Sequence, residues 1–76
     1  MEITLLVTHD DFSLKNLKHE LQNLGLDYRV EYIEDNPELV ASHQIRHSPN
    51  VFVDGELAFR DQPSPQALRR YLDGQR

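Results

Sequence analysis

Val51-Phe52-Val53-Asp54-Gly55-Glu56-Leu57-Ala58-Phe59 reads as two short strands joined by a two-residue turn. Asp-Gly tolerates the positive φ angles that such a hairpin turn demands, and the apolar and aromatic residues on either side suit a pleated surface. Beyond the hairpin, Ser64 and Pro65 give a capped helix start. Ala67, Leu68, Tyr71 and Leu72 then form one apolar face, and Gly74 closes the helix.

Working back from the hairpin, Asn36-Pro37-Glu38 sets a side-chain cap, a proline at the first helical position and a carboxylate at the positive end of the helix dipole. This predicts a short helix that turns Leu39 and Val40 inward. Tyr28, Val30 and Tyr32 alternate with Arg29, Glu31 and Ile33, which predicts a half-exposed strand whose charges suit a sheet edge. Leu14, Leu17, Leu21 and Leu24 fall on one stripe of a helix that Gly25 ends. That stripe is core, and two heptads are too few for a zipper. Ile3-Thr4-Leu5-Leu6-Val7 is nearly continuous in apolar and β-branched residues, as a central strand buried on both faces should be. Strand, helix and strand at these lengths make a parallel pair with a right-handed crossover. The order is βαβ, helix, ββ, helix, in one domain spanning residues 1–76.

Composition limits the function. The chain has 76 residues, and a chain of that length buries only about 60 to 65% of its unfolded surface, so its stability is modest. It is 38% hydrophobic and 28% charged, the balance of a packed soluble domain. Thirteen acidic against eight basic residues give a net charge of -5, and no basic cluster exceeds Arg69-Arg70. Such a surface repels phosphate backbones, so nucleic acid is not an expected partner. There is no cysteine, which removes disulfides, thiolate metal ligands and thiol nucleophiles together. Ile3 to Val7 is too short for a signal-peptide core and Glu2 stands where a basic segment would be, so a cytoplasmic protein without a membrane partner is expected.

The order of elements, with Ser48-Pro49-Asn50-Val51-Phe52-Val53-Asp54-Gly55 leading into the third strand, resembles the thioredoxin and glutaredoxin superfamily over essentially the whole chain. The resemblance implies an α/β fold, βαβ-α-ββ-α, with a four-stranded mixed sheet of order 2-1-3-4 flanked by helices. It further implies a cis proline at Pro49 facing the site. Counting back from Gly25, Asp11-Phe12-Ser13-Leu14 occupy the family's Cys-x-x-Cys motif, so no mixed disulfide can form. Thr8 replaces the lysine of the glutathione-binding branch, and Arg60-Asp61-Gln62-Pro63 replaces its Gly-Gly and Asp pattern. The resemblance is therefore to a cysteine-free member without a cofactor.

If that fold holds, His9-Asp10-Asp11 and His47-Ser48-Pro49 meet at one end of the sheet. Asp10, Asp11, Phe12, Ser13, His47, Ser48 and Pro49 are then the candidate residues for binding a protein or peptide partner. The backbone beside Pro49 would pair with an extended chain. A second reading makes His9, Asp10, Asp11 and His47 a divalent-metal or acid-base site acting on a small substrate. Against it stands a plainer one, in which Asp10 or Asp11 caps the first helix and the histidines are solvated. His43 and His47 would share a face if the helix continued, but Pro49 opposes continuation, and His19 reads as a solvated surface residue. Phe12 either covers the end of the core or meets a partner, with core packing favoured. A monomer or weak homodimer is expected, since Arg29, Glu31 and Glu34 oppose self-pairing of the edge from Tyr28 to Ile33.

Overall fold

A computed structural model describes residues 1–74. It contains β1 (Ile3–Val7), α1 (Leu14–Asn23), β2 (Arg29–Tyr32), a 3-10 turn (Ile33–Asp35), α2 (Pro37–His43), β3 (Asn50–Val53), β4 (Glu56–Phe59) and α3 (Pro65–Asp73). The sheet order is β2-β1-β3-β4, with β1 parallel to β2 and antiparallel to β3, and β3 antiparallel to β4. This is the mixed sheet, in the order 2-1-3-4, that the family resemblance implies.

The sheet separates two apolar layers. Ile3, Leu5 and Val7 of β1, with Val51 and Val53 of β3, bury against Leu17 and Leu21 of α1 and Leu68 and Leu72 of α3. Successive side chains of a strand point to opposite faces, so Leu6 and Phe52 face the other way, where Ile45 joins them in a smaller buried cluster. α2 covers that side and has no fully buried residue of its own. Half-buried Leu39 and Val40 pack on this smaller cluster.

The helix ends follow from backbone chemistry. At the end of α1, Gly25 adopts φ +70, its N–H donates to the Gln22 carbonyl at 3.0 Å, and the Leu26 N–H donates to the Leu21 carbonyl at 3.0 Å. That paired closure satisfies carbonyls the helix would otherwise leave open, and it brings Leu26 onto the core beside Leu21. α2 ends the same way through Gln44 at φ 53, with the Ile45 N–H donating to the Val40 carbonyl at 2.9 Å. Because α2 stops at His43, His43 and His47 do not share a helix face, as Pro49 led one to expect. In the hairpin, Asp54 and Gly55 both take positive φ, at 51 and 84, so the turn forms as its residues predict. At α3 the Ser64 hydroxyl accepts the Ala67 N–H at 3.1 Å, the expected cap.

Two local expectations need correction. Asn36 does not cap α2 with its side chain; its Nδ2 turns back and donates to the Tyr32 carbonyl at 2.7 Å, satisfying the end of β2 instead. Gly74 follows α3 at φ -70, in ordinary helical backbone, so its conformational freedom is not what ends the helix.

Candidate functional site

The loop after β1 and the loop before β3 meet at the end of the sheet, and an aspartate joins them. The β1–β3 register runs from Ile3 opposite Val53 to Leu6 opposite Asn50. Past that last pair, the Thr8 N–H donates to the Ser48 side-chain oxygen at 3.1 Å. The Ser48 hydroxyl in turn donates to Asp11 Oδ2. Asp11 Oδ1 accepts both the Ser13 hydroxyl and the Ser13 N–H, the latter at 2.8 Å. One carboxylate thus holds Ser13, the residue that leads into α1, and fastens it to the opposite loop. The expectation that Asp10 or Asp11 caps the first helix through its free N–H groups is not met: the Asp11 carboxylate takes the N–H of Ser13, the residue before the helix, and α1 has no side-chain cap bond.

Asp11 carries a lowered pKa. Partial burial pushes it up, but the hydrogen bonds from the Ser13 hydroxyl, the Ser48 hydroxyl and the Ser13 N–H together outweigh burial and set it below the usual 3.8. A folded-state pKa below the unfolded one means that the ionised carboxylate stabilises the fold above the unfolded value, and that this contribution fades as the pH falls through the folded value. The carboxyl is largely open to water, and screening holds the contribution to about 1 kcal/mol or less. Asp11→Ala should therefore cost about 1 kcal/mol in urea unfolding at pH 7, and the gap to the parent should shrink as the pH approaches 3. A gap that stays constant with pH would mean that the carboxylate charge has no part in the tie.

Phe12 corrects the expectation that it packs into the core: it is 94% exposed. The cause is local. Asp11 and Ser13 turn toward each other, and the Leu14 N–H bonds back to the Asp11 carbonyl at 3.4 Å, so the residue between them is carried to the outside of a tight turn. Pro49, by contrast, is buried, and the Ser48–Pro49 peptide is cis.

Nor do His9, Asp10, Asp11 and His47 converge on a common point, and no three metal-ligating side chains gather anywhere among the described residues. The His9 ring stacks flat on Tyr32, with centroids 3.9 Å apart and planes inclined by 12°. Its Nε2 lies 3.7 Å from Asp35, and the backbone N–H of His9 donates to the Glu34 carboxylate at 3.0 Å. That bond and the N–H of Glu34 itself hold the Glu34 carboxyl below its ordinary pKa. His9 is thus drawn to Tyr32 and the turn that follows β2, while Asp11 is held by the serines. Asp10 and His47 remain exposed at the surface.

Sequence reasoning missed Asn50, the one buried polar side chain at 1% exposure among the described residues. Its Nδ2 donates to the Leu6 carbonyl at 3.2 Å and to the His47 carbonyl at 2.7 Å, fixing the loop before β3 against β1. The available signal was an amide at the head of an all-apolar strand, where only a partnered polar group is tolerated. Among the described residues, no helix is long and apolar enough to cross a membrane.

A family model described as a thioredoxin domain matches residues 12–73, from the exposed phenylalanine to the end of α3. Neither a curated protein nor a solved structure matches the chain.

Proposed function

The chain belongs to the thioredoxin domain family, and from that footing we propose that it is a non-catalytic module that binds a protein or peptide partner at the end of the sheet where Phe12 and the 47–49 loop stand. Without cysteine it cannot carry out thiol-disulfide exchange. What remains at the position of the redox motif is a shaped polar tie with an aromatic ring standing out of it.

The observation that carries this reading is the exposure of Phe12. A phenylalanine left in water forgoes roughly 1.5–3 kcal/mol of burial. Core packing does not require that placement, and the Asp11 tie enforces it. Aromatic rings of this kind are enriched in the centres of protein interfaces and often anchor them. An extended peptide could use the ring as its apolar contact and the backbone near Ser48 as a strand partner. A metal or acid-base site is not favoured, because the side chains it requires are turned apart.

The test uses a random-sequence peptide library displayed on phage and selected against the immobilised chain. Selected peptides, added to labelled protein, should move the amide signals of residues 11–13 and 47–50. Phe12→Ala should weaken them by at least tenfold, the loss expected for an interface anchor, with the melting temperature unchanged. Peptides that shift other surfaces, or that bind Phe12→Ala as tightly as the parent, would refute the assignment.

A further inference from the structure

We infer that the chain forms a reversible two-fold dimer by antiparallel pairing of β2 with β2 of a second copy, in the register centred on Val30. The surface lies along the sheet edge and is separate from the Phe12 face.

The two edges of the sheet differ in kind. β4 pairs with β3 through an irregular register, in which Val51 faces Phe59 and Phe52 faces Leu57, leaving Ala58 without a partner on β3. Such a bulge twists an edge and spoils it as a template. β2 follows β1 without interruption, Thr4 to Arg29 through Val7 to Tyr32, and its other side is unpaired in the sheet. It is therefore the edge with the regular backbone row, of which the Tyr32 carbonyl at its end already accepts from Asn36.

Side-chain chemistry then selects both occupant and register. Tyr28, Val30 and Tyr32 lie on the face of the larger core cluster. Arg29 and Glu31 share the opposite face, with their charged groups 3.7 Å apart and exposed. A two-fold axis normal to the sheet keeps each face on its own side, so residues that meet across the seam must have the same orientation and the axis must pass through a residue position. Centred on Arg29, the pairing opposes arginine to arginine. Centred on Glu31, it opposes glutamate to glutamate. Centred on Val30, it sets Arg29 against Glu31 of the second copy twice over, Val30 against Val30 and Tyr28 against Tyr32. The charges that exclude other strands thus make this one self-complementary, as a two-fold interface requires. A single short strand from each copy falls well below the roughly 1,200 Å² of a stable interface, so exchange is fast and the dimer is populated only at high concentration.

Sedimentation equilibrium across the micromolar-to-millimolar range tests this. The parent chain should shift reversibly from monomer to dimer. Arg29→Glu and Glu31→Arg should each weaken the dimer by about tenfold or more, since each turns two attractive cross-seam pairs into two repulsive ones. An equimolar mixture of the two variants should dimerise again, because each then carries the charges the other lacks. The doubly reversed chain, Arg29→Glu with Glu31→Arg, should also recover the dimer. Recovery in the mixture shows in addition that the single variants are folded. A parent that stays monomeric at millimolar concentration overturns the inference, as does a mixture that remains monomeric.

Discussion

Leu21→Ala should unfold about 15 °C below the parent chain, a loss of about 3 kcal/mol. Leu21 is fully buried, at 0% exposure, in the layer where α1 meets β1 and β3, and Leu26 packs into the same cluster after the turn at Gly25. Removing three carbons there forfeits their transfer energy and leaves a cavity that a sheet held on both sides cannot close. For a domain of 76 residues the whole stability is roughly 4–11 kcal/mol, so one truncation removes a large share of it. Asn23→Ala, on the exposed side of the same helix, should change stability by no more than about 0.5 kcal/mol. Differential scanning calorimetry of the two variants decides the matter. A loss under about 1 kcal/mol for Leu21→Ala would mean that α1 is not seated on the sheet through this residue.

The second large effect belongs to Asn50→Asp, which should cost about 3 kcal/mol or more at neutral pH. The substitution replaces an NH2 group that serves two carbonyls with an oxygen that faces them, inside a strand that is buried throughout. Asn50→Ala merely leaves the Leu6 and His47 carbonyls without that donor, at roughly 1–3 kcal/mol. The two variants separate by pH. Burial raises the folded-state pKa of the introduced carboxyl above its unfolded value, so the penalty is full in neutral solution and recedes as the carboxyl takes up a proton. Below about pH 4 the protonated group can donate to one carbonyl, and the Asp variant should approach or overtake the Ala variant. Urea titrations of both variants at pH 7 and pH 3.5 would show it. Parallel losses at the two pH values would contradict the buried position of residue 50.

The elements were legible because their signals are local. Four leucines at helical spacing, an Asp-Gly turn between apolar runs and a Ser-Pro helix start each carry their instruction within a few residues, whereas the sheet order came from the family resemblance. The site was legible in its placement and not in its details. Ser48 lies 37 residues from Asp11 in sequence, and their bond fastens the tight turn that carries Phe12 to the loop before β3. Read singly, a phenylalanine at the start of a helix looks like core. Gln44 escaped notice for a related reason: a glutamine carries no signal for left-handed backbone, and only the fit of Ile45 beneath α2 puts it there. Asn36 was misread because a cap needs its side-chain oxygen turned toward the helix N–H groups, and the side chain instead turns back so that Nδ2 donates to the Tyr32 carbonyl.

The unequal thickness of the two apolar layers gives the domain two tiers of opening. Among the described residues, nine buried apolar side chains interlock on one side of the sheet with two helices, whereas on the other the buried cluster is Leu6, Ile45 and Phe52 beneath a helix of seven residues. Detaching α2 exposes little apolar surface and breaks no sheet pairing, so it requires far less free energy than melting the whole chain. Backbone amides in α2 therefore exchange with solvent through a frequent local excursion, while those of β1 and β3 wait for global unfolding. The chain behaves as a rigid half-sandwich with a hinged cover, and a protease that cannot touch the sheet will find its first cleavage sites between Pro37 and His47.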